Sequence, residues 1–451
     1  MNERPAFLKS GERARLFPVL ADTSKEGRTL SVVLACIAYV DEFRTALFGS
    51  IGQRLGVRTK IDVFTEIVFK EVGKIPGRPD GLVILTNGNR TWSALIEAKV
   101  GNAQLDAAQI EAYLQIARVN KIDAIITISN QFAARADHHP VAVSKTSLKS
   151  VQLFHWSWMY LLTQATLLIA GQGIKDRDQE IILSELVRFL SHSSTGVQSF
   201  DRMPPKWRDL VNLVRSGAPL KKTSEEVQEV VGAWHQEVRD LSLILSRLLG
   251  TPVEVRLPRA HQLDPKARSH DDSSKLVDTK KLRCELDVPD TANVIVIEAD
   301  LLTRSILISM RLAAPVDRKS STARTNWLLR QLAKSNAEEI HVRAIWPGKA
   351  AATQAPLDIL RDSLEPLIGA NRKMVLSSFE VLLVRELIGR FSGAKTFIEE
   401  LEGAVPDFYE RVGQHLRSWQ PRAPKLKEKT EPGDVSREAI NEEFERTDSP
   451  S

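Results

Sequence analysis

The chain has 451 residues, with 62 Lys and Arg against 57 Asp and Glu, a formal net charge of +5. Its 43% hydrophobic and 26% charged residues exclude a collagen-like or wholly disordered chain, and at roughly 150 residues per domain the length suits two or three domains. So small a charge excess excludes a protein that coats nucleic acid, and any polyanion site must be a local patch.

Cys36 and Cys284 lie far apart and form no metal-ligand spacing, so a disulfide scaffold and a structural zinc are disfavoured and a reducing cytoplasm is expected. The N-terminus lacks the apolar segment of a signal peptide. The longest apolar stretch, 156–170, is interrupted by Thr163, Gln164 and Thr166 and is too short for a bilayer, so no membrane partner is expected.

In chain order, Val32, Val33, Cys36, Ile37, Val40 and Phe43 recur at helical spacing and predict a helix over 29–54. A second helix is predicted over 61–72, closed by Gly73. Two β-prone runs, 82–85 and 92–100, then flank Asn87-Gly88-Asn89-Arg90, a strong hairpin signal. A helix over 103–120 follows, with Leu105, Ala108, Ala112 and Ile116 on one face. Strands are expected over 123–129 and 151–156. The sum is a mixed α/β domain ending near residue 200.

Thr223-Ser-Glu-Glu226 has capping-box spacing and opens a long helix that Gly250 can close. Val227, Val231, Trp234, Val238, Leu241, Leu245 and Leu248 form a seam of about three heptads. That seam either docks on its own domain or joins a homodimer. Residues 259–281 are polar and read as a mobile loop. Period two then marks a small antiparallel sheet: Cys284, Leu286 and Val288; Val294 and Val296; Ile306, Ile308, Met310 and Leu312. Glu285, Asp287, Glu298 and Asp300 alternate with these and read as a solvated strand face. A helix over 326–334, a strand over 340–346 and further helices continue to 419. From Pro421 the chain is rich in Lys, Glu and Pro and is expected to be disordered.

Chemistry concentrates between Arg78 and Tyr113. With the turn at 87–90, paired hairpin positions put Asp80 opposite Glu97, and Lys99 on the same face one pleat further on. Like charges directly opposite destabilise a sheet, and a divalent, oxygen-liking cation such as Mg²⁺ removes the repulsion.

Pro79-Asp80 followed by Glu97-Ala98-Lys99 resembles the signature of the PD-(D/E)XK nuclease superfamily. Gln109 and Tyr113 resemble the Gln-x-x-x-Tyr pair of its RecB-like members, and Glu66 stands where the family often places a further acid. The resemblance covers roughly residues 55–160. It implies a restriction-endonuclease-like mixed β-sheet flanked by helices over 1–200 and says nothing of the rest, where the patterning alone predicts a helical linker over 201–258, a second α/β domain of unknown role over 282–420, and a disordered tail over 421–451. The motif also implies a metal-dependent nuclease acting on phosphodiester bonds of DNA, and the joining of such a domain to an unrelated one resembles proteins of bacterial defence, stress response or repair. Glu66, Asp80, Glu97 and the Ala98 carbonyl would hold Mg²⁺ or Mn²⁺. Lys99 would orient or deprotonate the attacking water, while Gln109 and Tyr113 would contact the scissile phosphate or brace the site. The alternative is a nuclease-fold binding protein, weakly catalytic or inert, that acts through a protein partner of its C-terminal domain.

Overall fold

The computed structural model describes residues 5–18, 24–70, 75, 77–144 and 146–420. The chain is mixed α/β, with two multi-stranded sheets flanked by helices. The expected disordered tail, 421–451, lies outside the described residues, as does Gly73.

The first half runs β1 (Leu8–Arg13), α1 (Lys25–Tyr39), α2 (Asp41–Ser50), β2 (Lys60–Phe69), β3 (Gly81–Asn87), β4 (Arg90–Ala98), α3 (Ala107–Val119), β5 (Ala124–Ser129), β6 (Gln152–Ser157), α4 (Trp158–Ala170) and α5 (Arg177–Leu190). The six strands lie side by side in chain order. The first four form an antiparallel meander, and β5 and β6 add in parallel to β4. Every residue of β5 is buried, as a parallel strand covered on both faces requires. One face packs Val83, Ile96 and Ile126 against α1, α2, α4 and α5; the other packs Leu82, Leu95 and Ile125 against α3.

The hairpin has the predicted register, with Gly81 paired to Ile96 and Asn87 to Arg90. Two other expectations are corrected. The helix over 29–54 is two helices, because Val40 is extended (φ −108°, ψ 107°) and breaks the hydrogen-bond ladder between α1 and α2. The helix over 61–72 is strand β2 as far as Phe69. Its β-branched residues Ile61, Val63, Thr65, Ile67 and Val68 prefer a pleated surface, and pairing to β1 and β3 outweighed the helix-like spacing.

In the second half, α6 (Lys206–Arg215) and α7 (Glu225–Leu249) precede β7 (Glu254–Val255), α8 (Arg259–Leu263), α9 (Pro265–Thr279), β8 (Lys281–Asp287), β9 (Ile295–Asp300), β10 (Ser305–Ala313), α10 (Ser321–Gln331), β11 (Ile340–Ile345), β12 (Thr353–Pro356), α11 (Leu357–Asp362), α12 (Glu365–Ile368), β13 (Ser378–Glu386) and α13 (Ala394–Phe408). The seven strands form one antiparallel sheet in the order β12-β11-β13-β10-β9-β8-β7. In β9 the inward residues are Ile295 and Ile297 rather than Val294 and Val296, one position from the expected register.

The polar stretch expected to be a mobile loop is helical instead: α9 begins at Pro265 behind an N-cap, Asp264, whose carboxylate accepts from the Lys266 N–H. Helix α7 has Ser224 at its N-cap position, one residue later than expected and without a side-chain capping hydrogen bond, and closes at Gly250 in the left-handed region (φ 65°). Its seam residues Val227, Val231, Trp234, Val238, Leu241 and Leu245 are buried in the chain's own core, and only Leu248 is exposed, at 63%. That burial corrects the homodimer reading of the seam, since these side chains are already covered. Leu243, on another face of the same helix, belongs to the core of the first half. Among the described residues no helix is long and apolar enough to cross a membrane.

A candidate active site at the end of the hairpin

Strands β3 and β4 leave the turn in register, so residues 80 and 97 meet where β3 begins. Asp80 is fastened there by the Ala98 N–H, which donates to its Oδ2 at 2.8 Å. Glu97 is 1% exposed. Its Oε1 accepts from Lys99 Nζ at 2.6 Å and from Gln109 Nε2 at 2.8 Å. Its Oε2 is buried with no hydrogen-bond partner among the described residues. An orphaned carboxylate oxygen in that setting is costly and calls for a ligand.

Helix α3 supplies the brace. Asp106 caps it by accepting from Ala108 N at 2.9 Å, which sets Gln109 in the first turn and Tyr113 one turn on. Gln109 Nε2 also donates to the Tyr113 hydroxyl at 2.8 Å, and that hydroxyl donates to the Arg78 carbonyl at 3.1 Å. Gly77 makes the last contact possible. Its φ of +124° suits glycine, and a Cβ there would stand 2.7 Å from the Tyr113 ring. At 2% exposure Tyr113 braces Glu97 and the Arg78 backbone rather than facing solvent.

Burial, then repulsion from Asp80, pushes the Glu97 carboxyl up to about 7. Asp80 is raised by burial, with the Ala98 N–H and Lys99 opposing. Burial favours a neutral Lys99, but Glu97, Glu26 and Asp80 outweigh it and hold the ammonium above its ordinary range. Lys99 is therefore a cation here, a charged donor more than a base. The indole of Trp158 donates to the Lys99 carbonyl at 2.7 Å, and the Lys99 N–H donates to Ile128 of β5 at 2.8 Å, so the backbone beneath the amine is held twice.

The structure thus brings together Asp80, Glu97, Ala98, Lys99, Gln109 and Tyr113. Of Glu66 it brings the backbone, whose N–H donates to the Asp80 carbonyl at 3.1 Å, while the Glu66 carboxylate forms no metal-holding group with Asp80 and Glu97 among the described residues. Glu66 lies on β2 with φ +52°, at a bulge where it and Ile67 oppose Gly11 alone, and its carboxylate is half-exposed and 3.5 Å from Arg78. The acid that does approach is Glu26, in the first turn of α1, 3.9 Å from Lys99 Nζ. No sequence signal marks it, because α1 and β4 meet only through the tertiary fold.

No protein-family model, no curated protein and no solved structure matches the chain. The site stands on its own chemistry.

Among the described residues no three His, Cys, Asp or Glu side chains stand together as a metal-holding group. Two carboxylates suffice for an ion that keeps several of its waters, as Mg²⁺ does. The orphaned Glu97 oxygen and the repulsion between Asp80 and Glu97 are the features such a cation would relieve. The residues present fit it.

Proposed function

We propose that the first half is a restriction-endonuclease-like domain and that the protein is a Mg²⁺-dependent nuclease hydrolysing phosphodiester bonds in DNA. The observation that carries this reading is Glu97, with two donors on one carboxylate oxygen, none on the other, and Asp80 beside it.

Asp80, Glu97 and the Ala98 carbonyl would hold Mg²⁺ or Mn²⁺. When bound, such an ion supplies a water of lowered pKa and stabilises charge on phosphate oxygens. Lys99 holds its proton and offers the ammonium to the attacking water and to charge developing on the phosphate. Gln109 fixes the rotamer of Glu97, and Tyr113 fixes Gln109. Glu26 balances the Lys99 charge from the α1 side.

The test is incubation of the purified chain with linear and circular DNA, single- and double-stranded, in Mg²⁺ or Mn²⁺. Cleavage that disappears with EDTA and in Asp80→Ala, Glu97→Ala and Lys99→Ala is expected. Cleavage by Asp80→Ala at the wild-type rate would overturn the site. Metal binding has its own readout: Mg²⁺ at about 100 times its Kd should stabilise wild type by about 2.7 kcal/mol and Glu97→Ala by much less.

A further inference from the structure

The second half contains a cavity of about 420 Å³ between α9, β8 and the segment that follows β7. Four cations line it, Arg256, Arg268, Lys275 and Arg283, against two carboxylates, Asp272 and Glu285. The decisive residue is Arg268 on α9. Its side chain is 7% exposed, and its Nε is buried without a hydrogen-bond partner among the described residues. The nearest carboxylate oxygen, Asp272 Oδ2, is 3.6 Å away, beyond hydrogen-bond distance. That same oxygen already accepts from His235 Nε2 at 2.9 Å, and Lys275 Nζ is 3.5 Å from its neighbour Oδ1.

A guanidinium is not neutralised by losing its proton, so a buried one needs acceptors. Asp272 is shared three ways and does not satisfy Arg268. Arg283 leans toward Glu285 and Glu298, at 2.8 and 3.3 Å, on the outer side of β8. Arg256 is exposed and forms no ion pair among the described residues. The cavity therefore holds an excess of donors with a preorganised planar fork inside it.

From these features we infer that the cavity binds a small phosphorylated molecule, its phosphate or diphosphate group received by Arg268 with Arg256 and Lys275. Phosphate matches the fork geometry of arginine, and the volume is that of a small-molecule site. A duplex presents its phosphates on a convex surface and reaches exposed cations, whereas Arg268 lies within the wall. This site is separate from the carboxylate cluster and does not depend on the nuclease reading.

Isothermal titration of the full chain in EDTA tests it, with ADP, pyrophosphate and inorganic phosphate as probes and a short DNA duplex as competitor. At least one probe should bind one-to-one, with affinity weakened about tenfold or more in Arg268→Gln and in Arg256→Ala. Asp80→Ala should bind as wild type does. If Arg268→Gln does not fold, Arg256→Ala and Lys275→Ala, both with exposed side chains, carry the same test. Absence of binding by all three probes, or binding unchanged in the variants, overturns the site. A duplex that displaces the probe, and loses the same affinity in the variants, overturns the small-molecule assignment.

Discussion

Both sheets carry acidic residues on neighbouring strands, and the two sets are treated in opposite ways. In the second sheet Lys281 lies 3.2 Å from Glu298 and 3.4 Å from Asp300, while Arg283 reaches Glu285 at 2.8 Å and Glu298 at 3.3 Å. Each of these carboxylates faces a cation on its own or the next strand, Glu285 and Glu298 are partly wet, and Asp300, expected on the solvated face, is instead buried, its Oδ1 accepting from the Leu302 and Thr303 N–H groups. In the first sheet the one nearby lysine, Lys99, pairs with Glu97 and not with Asp80, both carboxylates are drawn into the protein, and one Glu97 oxygen has no hydrogen-bond partner among the described residues. Residue type does not distinguish the two sets. Charge balance does, and perturbed carboxylates of this kind are candidates for chemistry.

Substitutions should separate the sheets most sharply. Asp80→Ala or Glu97→Ala should lower the cleavage rate roughly 10³-fold or more. Lys281→Ala should leave it unchanged and alter the denaturation midpoint by no more than about 1 kcal/mol equivalent. Comparable loss of cleavage from Lys281→Ala would erase the contrast.

A smaller effect is expected one layer out. Glu26→Gln removes a carboxylate facing Lys99 without touching Glu97, and should reduce kcat roughly 10- to 100-fold. Wild-type kcat would leave Glu26 a bystander. Gln109→Ala strips one donor from Glu97 and should cost roughly tenfold in kcat, measured at saturating DNA. Tyr113→Phe, which keeps the ring packed, should cost less.

An effect on stability alone concerns a buried acid belonging to neither set. Asp240 on α7 is raised to about 6 by burial, opposed by the Phe200 N–H and by Arg247 and Arg239. Between its ordinary value of 3.8 and about 6 the folded protein binds the extra proton, so this group's stabilising contribution is lost as pH rises through that window. Asp240→Asn should flatten that decline, and its stability relative to wild type should improve by roughly 2 kcal/mol between pH 4 and pH 7 in urea titrations. An unchanged difference across that range would reject the assignment.

The hairpin was legible because Asn87-Gly88 sets a turn and the turn sets the register, so Asp80, Glu97 and Lys99 could be placed by counting. Gln109 and Tyr113 were legible because a helix begins at Asp106 close behind β4. Glu66 was placed on a helix because periodicity over a short apolar run does not separate strand from helix, and the bulge that turns it away leaves no local mark. Glu26 was out of reach because its approach depends on how α1 docks beneath the sheet. The polar face of α9 hid a helix whose start was written in Asp264 and Pro265. Arg268 was hidden in the same way, its burial decided by what packs over α9.

Helix α7 is a wall of both cores. Leu243 enters the first, while Trp234, Val238 and Leu241 enter the second. Arg247 donates to Thr163 of α4 at 2.6 Å, Gln236 accepts from the Phe132 N–H at 3.2 Å, and Arg239 sits 5.6 Å over the ring of Tyr160. A chain cut at residue 200 would lose that wall and expose apolar side chains of the first half to water. The two halves should therefore melt in a single calorimetric transition, and two separate transitions would break this inference. A fragment meant to keep the first half intact has to extend through Gly250.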